Sequence, residues 1–156
     1  MEIVLRGTLS LYFERGNSMV LYELYVYKDA DKILESRGLL EEIKRIVGTT
    51  LFIKHTTIQT MFQKSGWGLE YYIFKEAGWR WDAFKDNIAV SIELSLCDSV
   101  HRDFLRAILA HNQKRLDALV YVVSMSSEPK FANVKRDMEI FRELMDFPIL
   151  LIGLEP

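Results

Sequence analysis

The sequence has one cysteine, Cys97, among its 156 residues. A single thiol excludes a disulfide framework and a zinc site built from several cysteines, and we interpret it as an inert, semi-buried thiol. Proline and glycine are also scarce, with three and eight residues, and no Pro/Gly-rich linker, repeat or low-complexity tract divides the chain. Because this length is typical of one domain, the sequence predicts a single domain over residues 1–156.

Long apolar runs are missing as well. No stretch of about 18 apolar residues is present, so the sequence predicts no transmembrane helix. The N-terminal segment is interrupted by Arg6, Glu14 and Arg15 and lacks the apolar core of a signal peptide. These features together predict a soluble, cytoplasmic protein.

An excess of charge of one sign is absent too. Twenty Lys and Arg residues stand against 22 Asp and Glu residues, which leaves a net charge of −2. This balance excludes a basic coat for nucleic acid over the whole surface, but it allows a local basic patch. Hydrophobic residues make up 49% and charged residues 27% of the chain, which is typical of a globular protein with a core.

Several motifs of common enzyme classes are not present. There is no GxGxxG, no Walker loop and no GxSxG, which argues against nucleotide-binding folds and serine hydrolases. His101 and His111 lie near opposite ends of one predicted helix, and His55 precedes another helix. Since none of these histidines has metal-ligand spacing, we expect no metal site built on histidine or cysteine.

Alternating and helical patterns predict the secondary structure. In the first part, two apolar runs flank Gly16 and Asn17, which predicts a hairpin, and a long helix follows with a break at Gly38. The second part has the order β-β-β-α-β-α-β, which predicts a mixed sheet with helices on its faces. The predicted strands are Ile3–Phe13, Met19–Tyr27, Leu69–Glu76, Trp79–Phe84, Ile88–Leu96, Ala118–Met125 and Pro148–Gly153, and the predicted helices are Asp29–Val47, Thr56–Ser65, Ser99–Lys114 and Ala132–Met145.

Three acidic residues stand out in the predicted strands. Glu93 lies within an apolar run whose same face carries only small residues, and Asp82 lies on the preceding strand. A charge inside such a strand is unfavourable unless it is paired or binds a cation. Paired carboxylates, with Glu70 as a third, are typical ligands of Mg²⁺. The alternative is a structural ion pair of Glu93 with Arg80, Arg102 or Lys85.

A series of short motifs carries a family resemblance over about residues 50–156. These motifs are Lys54-His-Thr-Thr-Ile58, Gly66-Trp67 with Glu70, Trp81-Asp82-Ala-Phe-Lys85-Asp86, Ser91-Ile-Glu93, Asp103, Leu116-Asp117 with the apolar run after it, and Pro148-Ile-Leu-Leu-Ile-Gly153. In order and spacing they resemble the BglII/BamHI group of type II restriction endonucleases in the PD-(D/E)XK superfamily. The resemblance implies a restriction-endonuclease-like α/β fold: a mixed β-sheet flanked by helices, with an N-terminal β-hairpin and helices before it.

The resemblance also implies a site. Asp82 matches the first acidic position of the family, and Glu70 resembles its additional upstream acid. Aligned without a gap, the next strand places Ser91 at the second acidic position and Glu93 at the third. With a longer strand, Glu93 takes the second position and Ser95 the third. In either register one motif position is a serine, and Lys85, Arg102 or Lys114 would have to replace a missing cation.

The function implied by this resemblance is a Mg²⁺-dependent (or Mn²⁺-dependent) endonuclease that hydrolyses phosphodiester bonds in duplex DNA. Asp82 and Glu93 would hold the metal ion, Glu70 would assist, and Ser91 or Ser95 would fill the remaining position. We expect a homodimer, because two copies match the two antiparallel strands of DNA. The alternatives are a catalytically inactive nuclease-fold domain that binds DNA or a protein partner, and an unrelated or purely structural α/β domain.

Overall fold

The computed structural model describes residues 8–15, 18–50 and 52–155, and the side chains from residue 21 onward. These residues form seven strands and five helices. The strands are β1 Thr8–Arg15, β2 Ser18–Tyr27, β3 Gly68–Phe74, β4 Trp79–Lys85, β5 Ile88–Ile92, β6 Ala118–Ser124 and β7 Ile149–Glu155. The helices are α1 Ala30–Ser36, α2 Leu40–Gly48, α3 His55–Lys64, α4 Cys97–Asn112 and α5 Phe131–Ile140, and a 3₁₀ turn spans Lys75–Ala77.

All seven strands belong to one mixed sheet, in the order β1-β2-β7-β6-β5-β4-β3. Strands β5, β6 and β7 are parallel to one another, and the remaining pairs are antiparallel. The predicted mixed α/β sheet is therefore confirmed. The N-terminal hairpin is confirmed where it is described, since Arg15 pairs with Ser18. The predicted turn at Gly16 and Asn17 and the start of the first predicted strand lie outside the described residues.

Helices cover both faces of the central strands. One apolar core lies between the sheet and α1, α2 and α3, and it includes Leu34, Ile43 and Phe62. The other lies on the opposite face under α4 and α5, and it includes Phe104 and Met138. Strands β5 and β6 are buried along their whole length because both of their faces are covered.

Two predicted ends differ most from the structure, those of β5 and α5. Strand β5 ends at Ile92 instead of Leu96, because the Glu93 carboxylate accepts hydrogen bonds from the backbone N–H groups of Ser95 and Leu96 and the chain then turns into α4. The spacing of Val134, Met138, Phe141 and Leu144 predicts one apolar stripe along the last helix, but α5 ends at Ile140 and the stripe stops there. Phe141 and Leu144, predicted to face the core, are 39% and 66% exposed.

The long helix divides near Gly38 as predicted, into α1 and α2, and Gly38 has a positive φ of 68°. On α4, the helical spacing in the sequence predicts that Phe104 and Ala107 face the sheet and that Arg106 is exposed. Phe104 and Ala107 are buried as predicted, but the prediction for Arg106 is wrong. Its side chain is 16% exposed, since the guanidinium lies 4.6 Å from the Trp79 ring centre and pairs with the Asp103 carboxylate. Cys97, predicted to be semi-buried, is exposed at the start of α4.

Candidate active site

The predicted acids Glu70 and Asp82 lie opposite each other on β3 and β4. Leu69 pairs with Ala83 and Tyr71 pairs with Trp81, so Glu70 and Asp82 occupy the opposing positions between these two pairs. In a regular strand, residues two apart face the same side of the sheet. Here Ala83 packs in the core beside α1 to α3, whereas Trp81 packs in the opposite core. The side-chain alternation therefore reverses at this position, where Glu70 also has a φ of 50°.

This reversal directs the Asp82 carboxylate toward the end of β5. Its Oδ2 atom accepts a hydrogen bond from the Ile92 backbone N–H at 2.7 Å, and its Oδ1 atom lies 2.8 Å from Nε2 of His55. The strand pair β4–β5 is in register only from Ala83 to Lys85, so the strands part at Asp82. The carboxylate occupies the position where the ladder between these two strands ends.

Helix α3 supplies two further side chains to the same place. His55 is its first residue, and Gln59 follows one turn later on the same face. The Gln59 amide nitrogen donates to Oε1 of Glu70 at 2.7 Å and to the backbone oxygen of Asp82 at 3.0 Å. Because Ile58 and Phe62 are buried in the core next to them, the position of α3 over β3 and β4 is well defined.

Three carboxylates influence the His55 imidazole. The hydrogen bond to Asp82 raises the pKa of His55 above its usual 6.5, burial opposes this shift, and the negative charges of Asp82, Glu70 and Glu93 add to it. Of the three predicted acids, Asp82 contacts the ring directly, and Glu70 and Glu93 act on it through their charge. The arrangement favours a positive charge at that point.

Glu93 lies just beyond the end of β5, where its backbone N–H donates to the Val122 carbonyl at 2.9 Å. Its Oε1 atom accepts hydrogen bonds from the backbone N–H groups of Ser95 at 3.1 Å and Leu96 at 2.8 Å. Ser95 is exposed, and its backbone is the part that contacts Glu93. The acid thus holds the turn that leads into α4.

Ser91 is buried on the face of the sheet that α4 and α5 cover. Its Oγ donates to Oδ2 of Asp103 at 3.5 Å, and the Tyr121 hydroxyl donates to the same oxygen at 3.0 Å. Burial raises the pKa of Asp103 and also that of Tyr121. The structure therefore places Ser91 against α4 and does not bring it to the His55–Asp82 pair.

The alternative, a structural ion pair of Glu93, is not formed in the described part of the chain, where its three candidate partners contact other residues. Lys85 lies 3.2 Å from Oε1 of Glu42 and donates to the Ser65 carbonyl at 3.1 Å. Arg102 donates to the Ser99 hydroxyl at 3.1 Å, and Arg80 lies 3.6 Å from Glu70. These contacts also show that Lys85 is part of the packing between β4, α2 and the end of α3.

Sequence analysis missed His55 and Gln59 as site residues. His55 had been assessed only for metal-ligand spacing, and the predicted helix began at Thr56, which left His55 outside it. The available signal was the spacing of four residues between two polar side chains on a helix with an apolar opposite face. Among residues 8–15, 18–50 and 52–155, no group of three or more His, Cys, Asp and Glu side chains is arranged to hold a metal ion.

The sheet order, the flanking helices and the acids where β4 and β5 part define a protein of the restriction-endonuclease-like class. The family model for restriction endonuclease BglII/BglIII matches residues 22–154, so the chain belongs to that family. A solved structure, the crystal structure of restriction endonuclease BglII complexed with a DNA 16-mer, superposes with a TM-score of 0.72 and 18% sequence identity. The match covers 86% of this chain and 78% of that one.

A search of curated proteins finds no match to this chain. Within the described part of the chain, none of the helices has the length and apolar composition needed to cross a membrane.

Proposed function

We propose that the protein is a Mg²⁺-dependent endonuclease that hydrolyses phosphodiester bonds in duplex DNA. The observation that carries this proposal is the fixed Asp82 carboxylate at the point where β4 and β5 part, with Glu70 opposite it on β3. Family membership supports the reaction class, and the related BglII structure contains DNA. A cytoplasmic location stays a prediction from the sequence.

The side chains present fit a divalent metal ion in their chemistry. Mg²⁺ binds oxygen ligands and needs only one or two carboxylates together with water and substrate phosphate. Asp82 and Glu93 supply two carboxylates, one where β4 and β5 part and one just beyond the end of β5. Mn²⁺ accepts the same ligands. A bound ion would activate water and neutralise the charge that develops on the phosphate.

The protein's own residues would hold this site in shape. The Ile92 N–H and His55 fix the two oxygens of Asp82, while Gln59 links Glu70 to the backbone of β4. Glu93 is restrained by the turn that it caps. Rigid placement of this kind is what an active site needs, because small displacements of a positioned group cost large factors in rate.

Cleavage of supercoiled plasmid DNA tests this proposal. We expect nicking or cutting with Mg²⁺ or Mn²⁺, and we expect EDTA to abolish it. Asp82→Asn and Glu93→Gln remove charge while they preserve hydrogen-bond acceptors, so both should fold and lose about 100-fold or more of the activity. Glu76→Gln, an exposed acid in the 3₁₀ turn, is the matched control. Cleavage that persists in EDTA, or in Asp82→Asn, would contradict the proposal.

One observation favours a second candidate, a catalytically inactive nuclease-fold domain that binds DNA or a protein partner. Ser91, which occupies the second acidic position in the alignment without a gap, is buried against Asp103. In that alignment the site lacks one carboxylate ligand. DNA binding that weakens as salt rises, without cleavage of any substrate, would favour this candidate.

We further propose a homodimer formed through one apolar surface, which we call the α4–α5 patch. It consists of Leu105 and Leu109 on α4, Ile140 at the end of α5, and Phe141 and Leu144 just after α5. All five side chains are exposed. A cavity of about 260 Å³ lies beside Leu105, Phe141 and Leu144.

The occupant we propose for the α4–α5 patch is a second copy of this chain. The rim of the patch carries charges of both signs, in the pairs His101–Asp137, Arg136–Asp137 and Arg142–Glu139. In a dimer with a two-fold axis, acidic residues of one copy can therefore face basic residues of the other. Exposed apolar patches of this kind mark interaction sites. Two copies would also present one site to each strand of a DNA duplex.

A further inference from the structure

We propose that Arg80 binds a DNA phosphate beside the candidate active site. This inference rests on the proposed function, because it names a contact to the same substrate. Arg80 lies in β4, two residues before Asp82, with its guanidinium 5.2 Å from the Tyr72 ring centre. Its Nη1 atom lies 3.6 Å from Oε2 of Glu70, and its side chain is 47% exposed.

The stacking on Tyr72 holds the guanidinium in place without covering it. A planar guanidinium presents several N–H donors in a fixed fork, which matches the oxygens of a phosphate. Its contact with Glu70 is long, and both side chains are about half exposed, so this ion pair is weak. Exchange of Glu70 for a phosphate oxygen therefore costs little, and the aromatic ring keeps the direction of the fork.

Charge around the site explains why such a contact is needed. Glu70, Asp82 and Glu93 carry negative charge close to the place where a DNA phosphate would approach. Lys85, which the sequence had suggested as a substitute cation, is engaged by Glu42 and Ser65.

Arg106 on α4 is equally unsuited to this contact, because it pairs with Asp103 and lies over Trp79. Arg102 is exposed, but its hydrogen bond is to Ser99 on α4 and not to an acid of the candidate site. Arg80 is linked to the site through Glu70 and stays charged at every physiological pH.

Binding measured without cleavage tests this inference separately from the proposed reaction. Fluorescence anisotropy of a labelled duplex DNA is followed in EDTA over about 50 to 200 mM KCl. Arg80→Gln should weaken binding about tenfold or more, and its log–log salt slope should be smaller by about 0.9, the value for one lost phosphate contact. Arg80→Lys keeps the charge but loses the fork, so it should keep the slope and bind more weakly than the wild type.

The matched control is Arg45→Gln on α2, an exposed arginine that belongs neither to the candidate site nor to the α4–α5 patch. It should bind DNA like the wild type. If Arg80→Gln also binds with wild-type affinity and slope, the inference is overturned. If the wild type binds DNA but cuts none, and Arg80→Gln loses the contact, the inference stands while the nuclease proposal fails. A wild-type protein with no affinity for DNA overturns both, and thermal melting of each variant confirms that it is folded.

Discussion

Asp82 connects three parts of the molecule through a single carboxylate. One oxygen contacts His55 on α3, the other accepts the N–H of Ile92 on β5, and the residue itself belongs to β4. Gln59 adds a contact to its backbone oxygen. A side chain with so many fixed partners cannot reorient without loss of hydrogen bonds. Its position is therefore set by the fold, before any substrate or ion is bound.

The contact between His55 and Asp82 predicts a pH dependence of stability. The folded-state pKa of His55 is raised above the value of 6.5 expected in the unfolded chain. Protonated His55 therefore stabilises the fold fully below about pH 6.5, and this contribution disappears as the pH rises through the raised folded value. We expect the stability difference between wild type and His55→Asn to shrink over that range, as measured by urea unfolding at a series of pH values.

Asp82→Asn serves as the control for this pH dependence. It removes the charge that raises the pKa of His55, so its stability difference from His55→Asn should vary far less with pH. NMR titration of the His55 ring gives the pKa directly. A His55 pKa at or below 6.5 in the folded wild type would contradict the prediction.

At the level of single residues, sequence analysis selected Glu70, Asp82 and Glu93 as candidates, because acids in apolar strands need a cation or a partner. It did not identify the partner. The role of His55 depends on a hydrogen bond between residues 27 positions apart in the chain, which no local pattern encodes. The burial of Ser91 against Asp103 is equally non-local, because it needs the packing of α4 on β5.

Among the elements, the end of β5 decides the shape of the site. The alternating pattern continues through Leu94 and Leu96, and it predicted a strand to Leu96. Pairing with β4 ends at Val90, pairing with β6 continues to Ile92, and the chain then turns where the Glu93 carboxylate accepts the N–H groups of Ser95 and Leu96. Alternation alone does not reveal such an end, since hydrogen bonding between strands determines it.

Helix α4 offers a matched comparison of two arginines. Arg106 is enclosed by Trp79 and Asp103, whereas Arg102 is exposed. We expect Arg106→Ala to destabilise the protein by about 1–3 kcal/mol, since it removes the stacked guanidinium and leaves the buried Asp103 without its nearest cation. Arg102→Ala should cost about 0.5 kcal/mol or less. Phe104→Ala, which empties a core position, should cost about 3–5 kcal/mol.

Urea unfolding with a common m-value measures these three changes. Equal costs for the two arginine variants would show that Arg106 is not enclosed as described. A small cost for Phe104→Ala would show that the helix presents another face to the sheet.

For the molecule as a whole, the fold class followed from local patterns because the central strands are long apolar runs separated by amphipathic helices. Sheet order did not follow. Strand β7 lies between β2 and β6, so the last strand in the chain joins the N-terminal hairpin to the parallel strands. Nothing in the composition of β7 selects these neighbours, and the order depends on packing across the entire sheet.

The dimer proposed through the α4–α5 patch predicts a pattern of DNA cleavage for the proposed nuclease. Leu105 belongs to this patch and is 67% exposed. Leu105→Lys should therefore leave the monomer folded but place a charge in the proposed interface. We expect dimers of the wild type and monomers of the variant in sedimentation equilibrium. The variant should nick supercoiled plasmid and fail to linearise it, because one site reaches only one strand. Phe52→Lys, an exposed position outside the patch, is the control. A wild type that linearises DNA as a monomer would contradict this prediction.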